Sequence, residues 1–238
     1  MKVLIPMAGE GSRFAKEGYT FPKPLIDVQG KPMIQKVVEN LDFDCEYIFL
    51  VRKKHVEKYT GLIDTLDRIT NGKFQYVKVD GLTEGAACTA LLAEKYIDND
   101  EDLLIANSDQ YIEYEPENFH MLKNLTNVDS AVFTFNAVHP KWSFVKTNSR
   151  GFVTEVAEKK PISNIATCGI YWYRKGSDFV KYAKEMIEKD IRVSNEFYIA
   201  PVYNELINDG KTLIPFYVHQ MWGIGTPEDL KYFLENKK

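Results

Sequence analysis

Long apolar runs are missing from this 238-residue chain. No stretch approaches the roughly 18 residues that a membrane-spanning helix requires, so no transmembrane segment and no membrane partner are expected. A basic excess is missing too. The 30 Lys and Arg are outnumbered by 34 Asp and Glu, giving a net charge of −4. That balance argues against a general nucleic-acid surface, while a local basic pocket stays compatible with it. Cysteine is scarce. Cys45, Cys88 and Cys168 are odd in number, widely scattered and in no metal-ligand spacing. They read as small buried apolar residues kept as reduced thiols, which suits the cytoplasm. There is no internal repeat, low-complexity tract or linker, and the first residues enter a strand directly, without a signal-peptide layout. A hydrophobic content of 45% and a charged content of 27% are those of an ordinary globule, and the length suits one α/β domain.

What is there is concentrated in the first 25 residues. Val3-Leu4-Ile5 reads as a strand buried on both faces, of the kind found in parallel sheets. It stops at Ala8-Gly9-Glu10-Gly11-Ser12-Arg13. Two glycines in a three-residue window let the backbone turn sharply and let a ligand approach the main chain. Consecutive free N–H groups in such a turn make a concavity suited to anions, phosphate above all. Arg13 adds a planar fork of donors, and Lys23 adds a point charge. Lys23 stands between Pro22 and Pro24, which predicts a stiff, extended presentation. A Walker loop needs Gly-x-x-x-x-Gly-Lys-Ser/Thr, which does not fit. A dinucleotide fingerprint needs a third glycine where Phe14 stands, so a dinucleotide oxidoreductase is the weakest candidate.

Ala8-Gly9-Glu10-Gly11-Ser12-Arg13-Phe14 followed by Pro22-Lys23-Pro24-Leu25 resembles the signature of the sugar-1-phosphate nucleotidylyltransferases. In that family Gly-Gly-x-Gly-Thr-Arg-Leu is followed some ten residues later by Pro-Lys-Pro-Leu. The resemblance implies that Ala8 to Ser12 hold a nucleotide and that Arg13 and Lys23 are catalytic.

Further along, the pattern alternates. Strands are expected at residues 3–6, 47–51, 74–79 and 102–106, with helices at 32–41, 54–66 and 86–96 between them. This predicts a parallel, three-layer αβα arrangement, Rossmann-like. The second half changes rhythm. Strand-like stretches at 131–138, 142–146, 151–158 and 166–174 suggest antiparallel additions to the same sheet, which makes it mixed. Helices at 175–189 and 198–208, a strand at 213–218 and a helix from Pro227 capped by Thr226 complete the chain. One domain over 1–238 is expected, with a nucleotide-binding half at 1–110 and an acceptor-binding half at 111–238. By resemblance the fold is glycosyltransferase-A-like.

In an open parallel sheet, ligands bind beyond the carboxyl ends of the strands. Asn107-Ser108-Asp109 lies at one such end, where a carboxylate is either a turn-former or a metal ligand. The resemblance implies the latter: Asp109 as the catalytic carboxylate holding Mg²⁺ against the phosphates. Thr83-Glu84-Gly85-Ala86 resembles the family's base-lining Gly-Thr-Ala segment, with Gly85 against the nucleobase. Asp80, where the family often has Gln, would face the same base. As a carboxylate Asp80 can only accept hydrogen bonds. Glu158-Lys159-Lys160-Pro161 resembles the family's Glu-Lys-Pro motif, which gives Glu158 the sugar hydroxyls and Lys159 the acceptor's phosphate. Asn195-Glu196 looks like a further sugar-binding element, although an acidic residue at a helix start explains Glu196 equally well.

Two departures stand on the acceptor side. Gly223 occupies the place of a family aspartate that is the second metal ligand, so the metal rests either on Asp109, phosphates and water or on another carboxylate. Trp142-Ser143 replaces a usual Tyr-Gly beside the sugar. The resemblance therefore implies a cytoplasmic enzyme that joins a nucleoside triphosphate to a phosphorylated acceptor, a sugar 1-phosphate, for surface polysaccharide biosynthesis. A cytidylyltransferase for a non-sugar phosphate and a non-catalytic nucleotide sensor are the competing expectations. The base, the acceptor and self-association as a homo-oligomer stay open. With no left-handed β-helix repeat in the sequence, no fused acyltransferase is expected.

Overall fold

The computed structural model describes residues 1–237. Its strands are β1 (Lys2–Pro6), β2 (Asp27–Val28), β3 (Lys31–Pro32), β4 (Glu46–Arg52), β5 (Phe74–Val79), β6 (Leu103–Ala106), β7 (Gln110–Glu113), β8 (Ser130–Asn136), β9 (Phe144–Thr147), β10 (Val153–Ala157), β11 (Ile165–Tyr173), β12 (Leu213–Tyr217) and β13 (Gln220–Gly223). The helices are α1 (Ser12–Lys16), α2 (Met33–Leu41), α3 (Lys53–Lys58), α4 (Gly61–Thr70), α5 (Ala86–Leu91), α6 (Glu94–Ile97), α7 (Pro116–Lys123), α8 (Gly176–Glu188), α9 (Val202–Asn208) and α10 (Pro227–Asn236).

Nine strands form one mixed sheet. β5, β4, β1 and β6 are parallel neighbours in that order, as the alternation predicts. β11 then pairs antiparallel with β6 and with β8, and β9 and β10 continue from its start. β12 runs parallel to β8. Alternate side chains of the central strands feed two separate cores. Val3 and Ile5 pack with Phe49 and α2 on one face; Leu4 packs with Ile48, Ile105 and α8 on the other. A strand buried on both faces has no polar position to offer, which is why β1 reads as an unbroken apolar run.

Several boundaries differ from the sequence reading. The run expected as one helix at 54–66 is two, broken around Tyr59-Thr60, and the run at 86–96 divides where Leu92 and Ala93 bond back three residues instead of four. The helix expected at 198–208 begins only at Val202, after Pro201. Ser12–Lys16 forms a short helix where only a loop was expected, and Lys23–Leu25 closes a 3₁₀ turn instead of staying extended, because Pro22 O accepts from Leu25 N at 2.8 Å. α7 and two small ribbons, β2–β3 and β7–β13, have no counterpart in the local pattern. The second ribbon matters most. Gly223 pairs with Gln110, so the chain near the C-terminal helix lies against the loop that follows β6.

Candidate active site

The site is assembled at the carboxyl ends of β1 and β6. After β1 the chain turns at Gly11, whose φ of +65° is left-handed and whose Cβ, if it had one, would lie 3.2 Å from Lys23 Cβ. Conformation and close approach both require glycine there. The contact seats Lys23 beside the loop. Its ammonium pairs with Asp109 Oδ2, and both side chains are 22% exposed. Asp109 leaves β6 in a loop fixed at two points: Asn107 N donates to Gly169 O at 2.9 Å, and Ile224 N donates to Asp109 O at 3.0 Å.

Two cavities meet at this pair. The larger, about 450 Å³, is lined by Arg13, Lys23 and Asp109 together with Trp142, Ser143, Glu158 and Lys159. The smaller, about 220 Å³, runs along Met7 and Gly9 and shares Lys23, Asn107 and Asp109. Gly169 lines the larger cavity too. It sits at φ +72°, and a Cβ there would fall 2.6 Å from Gln110 Oε1. The same stretch of β11, between Thr167 and Tyr171, slips its register against β8. Such a bulge re-aims the strand beside the cavity.

In the same wall Glu158 accepts from the Ser143 hydroxyl. Burial raises its pKa, against the opposing pull of Ser143 and Lys159. Lys159 donates to the Tyr198 hydroxyl and lies 4.4 Å from the centre of that ring. The Tyr198 bond and nearby Glu158 and Glu196 raise its pKa, so it stays a cation. Lys159 also adopts φ +54°. That backbone is unusual for a lysine.

Of the residues singled out from sequence, Arg13, Lys23, Asp109, Glu158 and Lys159 line the larger cavity, and Gly9 lines the smaller. Ala8 is buried, and Ser12 opens α1. Glu10 turns aside to Arg52, 3.1 Å away and almost wholly buried. Asp80 lines neither cavity; its carboxylate is 81% exposed and pairs with Lys53 at 3.2 Å. Gly85 has a packing reason to be glycine. Its φ is +137°, and a Cβ would lie 2.8 Å from the Phe197 carbonyl carbon. Its neighbour Ala86 is the residue that reaches the cavity. Asn195 and Glu196 are exposed on a tight turn closed by Val193 and Glu196, and only the field of Glu196 is felt at Glu158 and Lys159.

Sequence reasoning missed Gln110, Tyr171, Tyr198, Lys141 and Asp229, all of which line the larger cavity. Gln110 Oε1 is buried with no hydrogen-bond partner. Its position directly after Asp109 was the available signal. Lys141 and Asp229 pair with each other at 2.9 Å, and nothing local in the sequence joins them.

The donor set can be tested against a metal. Asp109 presents a partly exposed carboxylate at the junction of the cavities, and Gly225 is bare toward it. A Cβ at 225 would lie inside contact distance of Oδ2 and 2.8 Å from Cγ. Oxygen donors at a phosphate-sized space fit Mg²⁺, which takes one or two carboxylates and completes its shell with phosphates and water.

A family model described as nucleotidyl transferase matches residues 2–235. The chain belongs to the nucleotidyl transferase family. The chain is 27% identical over 243 residues to the bifunctional protein GlmU of Methanocaldococcus jannaschii, an alignment that covers 99% of this chain and 55% of that one. It thus spans about half the length of that curated relative. It is 25% identical to the UTP–glucose-1-phosphate uridylyltransferase AglF of Haloferax volcanii, over 96% of this chain and 93% of that protein. Among solved structures, the nucleoside-diphosphate-sugar pyrophosphorylase of Vibrio cholerae RC9 superposes with a TM-score of 0.81 at 25% identity, covering 98% of this chain and all of that one. The mixed sheet with flanking helices is the glycosyltransferase-A-like arrangement of such pyrophosphorylases.

Glu158→Gln is expected to separate binding from folding. The folded protein holds the Glu158 proton more tightly than the unfolded chain does, so the wild type loses stability as pH rises from the ordinary glutamate range through the raised folded pKa. The glutamine variant lacks that loss, and its melting temperature relative to wild type should rise between pH 4 and 7. With Glu158 on the acceptor as the family resemblance implies, the KM for the acceptor should rise about tenfold, the worth of one hydrogen bond to a charged group. A pH series of melting curves with acceptor kinetics checks both.

Proposed function

We propose that this protein transfers a nucleotidyl group from a nucleoside triphosphate to a sugar 1-phosphate, giving a nucleotide sugar and pyrophosphate. The observation that carries this reading is the arrangement of the larger cavity. Arg13, Lys23 and Asp109 from the first half of the chain line it together with Glu158 and Lys159 from the second half. Cations from separate parts of the chain facing one space suit two phosphate-bearing substrates. The family match and the resemblance to AglF and to the Vibrio pyrophosphorylase support the same reaction class.

The chemistry follows from charge. The glycine loop would take the triphosphate, with Arg13 against its outer phosphates. Lys159 would orient the acceptor's phosphate, and Glu158 would receive hydroxyl donors from the sugar. An acceptor phosphate oxygen attacks the α-phosphorus in line, the bond to the bridging oxygen of the β-phosphate breaks, and pyrophosphate leaves with that electron pair. A phosphate monoester is already ionised at neutral pH, so no general base is needed. Lys23 neutralises charge building on the α-phosphate, and positioning does the rest. Mg²⁺ held by Asp109 would supply further charge neutralisation on the phosphates.

A second reading is favoured by the Ser143–Glu158 bond and by Trp142 in the wall beside it. With its carboxylate engaged by a protein hydroxyl, the acceptor end also suits a non-sugar phosphate activated by CTP. A cytoplasmic role in surface polysaccharide synthesis is the setting we attach to the first reading, because an activated sugar serves a glycosyltransferase. One experiment separates the possibilities: pyrophosphate release measured for UTP, dTTP, CTP and GTP against sugar 1-phosphates and phosphocholine. A sugar 1-phosphate among the turned-over pairs supports the first reading. Turnover of CTP with phosphocholine alone supports the second, and no release with any pair sinks both.

A further inference from the structure

Beyond Asp109, a second carboxylate faces the same space from a different part of the chain. Gly223 and Gly225 are alternate residues where the chain leaves β13, and each is bare toward one acid. The position of a Cβ on Gly225 falls against Asp109, and that of a Cβ on Gly223 falls 3.3 Å from Asp229 Oδ2. Asp229 thus fills, from α10, the room that a side chain at 223 would use. The helix fixes it there: Thr226 caps α10 by accepting from Asp229 N at 3.1 Å.

Both acids line the larger cavity, and both are paired with lysines that also line it. Lys23 holds Asp109, and Lys141 holds Asp229 at 2.9 Å. Neither carboxylate is deeply buried, at 22% and 31% exposed, so neither lysine is locked in place by desolvation. A divalent cation carries twice the charge of an ammonium and competes with each lysine directly for its carboxylate.

We propose that Asp229 is the second protein carboxylate for the divalent cation, acting from α10 in place of the side chain that Gly223 lacks. This rests on the nucleotidyl-transfer reading, and its test is a binding measurement that needs no turnover. Mn²⁺ is titrated alone into wild type, Asp109→Asn, Asp229→Asn and the double variant Asp229→Asn with Gly223→Asp. Free Mn²⁺ is followed by electron paramagnetic resonance, and thermal melting establishes that each variant is folded. Asp109→Asn and Asp229→Asn should each weaken Mn²⁺ about tenfold or more, and aspartate at 223 should recover most of what Asp229→Asn loses. Wild-type affinity in Asp229→Asn, with affinity lost in Asp109→Asn, overturns the proposal and leaves the reaction standing. Loss without recovery in a folded double variant overturns it too, because Asp229 would then act only through its bond to Lys141. Absence of Mn²⁺ binding by wild type overturns it as well, while the pyrophosphate assay judges the reaction separately.

Discussion

Lys23→Ala should lower turnover about 10²–10³-fold, the usual cost of removing one donor from a preorganised charge-stabilising site. It should leave the melting temperature close to wild type. The two halves of this expectation have separate grounds. Lys23 is partly exposed and its partner Asp109 equally so. Losing their ion pair strands no fully buried charge, and exposed or half-exposed pairs contribute on the order of 1 kcal/mol or less. Catalysis is different, because on the proposed reaction the lysine's charge acts on the phosphate at the reacting centre. Lys23→Arg should recover little. A Cβ at Gly11 would lie 3.2 Å from Lys23 Cβ, so the loop runs close to the Lys23 stem, and a flat guanidinium on a different stem cannot bring a compact charge to the same point. Steady-state kinetics beside melting curves decide the matter, and near-normal turnover in Lys23→Ala would remove Lys23 from the mechanism.

How much of this site could be read in the sequence depends on how local each part is. The glycine loop and Lys23 are legible because their geometry is set within a few residues: φ +65° at Gly11, prolines on both sides of Lys23 and a buried strand leading in. Asp109 follows a wholly apolar strand, which marks a strand end, but only the family resemblance separates a ligand from a turn-former there. Asp80 and Gly85 show the limit of motif reasoning. The resemblance implies a base pocket, yet Asp80 turns to Lys53, and Gly85 is required by the backbone of Phe197 in a distant loop. The fold divides in the same way. The parallel half follows from alternating apolar strands and helices. The β7–β13 ribbon is set by pairing between segments far apart in the chain, for which a local pattern carries no signal. That ribbon brings in Gly223, Gly225 and Asp229, so the part of the site least visible in the sequence is the part that surrounds Asp109.

Gly225→Ala is expected to reduce turnover about 100-fold or more by adding a single methyl group. Its Cβ would overlap Asp109 Oδ2 and lie 2.8 Å from Cγ and 3.2 Å from Cβ of the same side chain. No L-residue makes such contacts, so either the Asp109 side chain rotates or the strand moves. Rotation is the easier course. The carboxylate is partly exposed, whereas the backbone is tied by the Ile224–Asp109 hydrogen bond at 3.0 Å and by the β7–β13 pairing. The acid therefore swings away from Lys23 and from the space where the two cavities meet. Misplacing a positioned group by about 1 Å can cost 10²-fold in rate. Stability should fall only modestly, since no buried apolar contact is lost. The variant thus tests whether the placement of Asp109, and not merely its presence, sets the rate. Its kinetics should match those of Asp109→Asn, and the double variant Gly225→Ala with Asp109→Asn should be no slower than either single one. Additive losses in the double variant would mean that the glycine serves something other than this carboxylate.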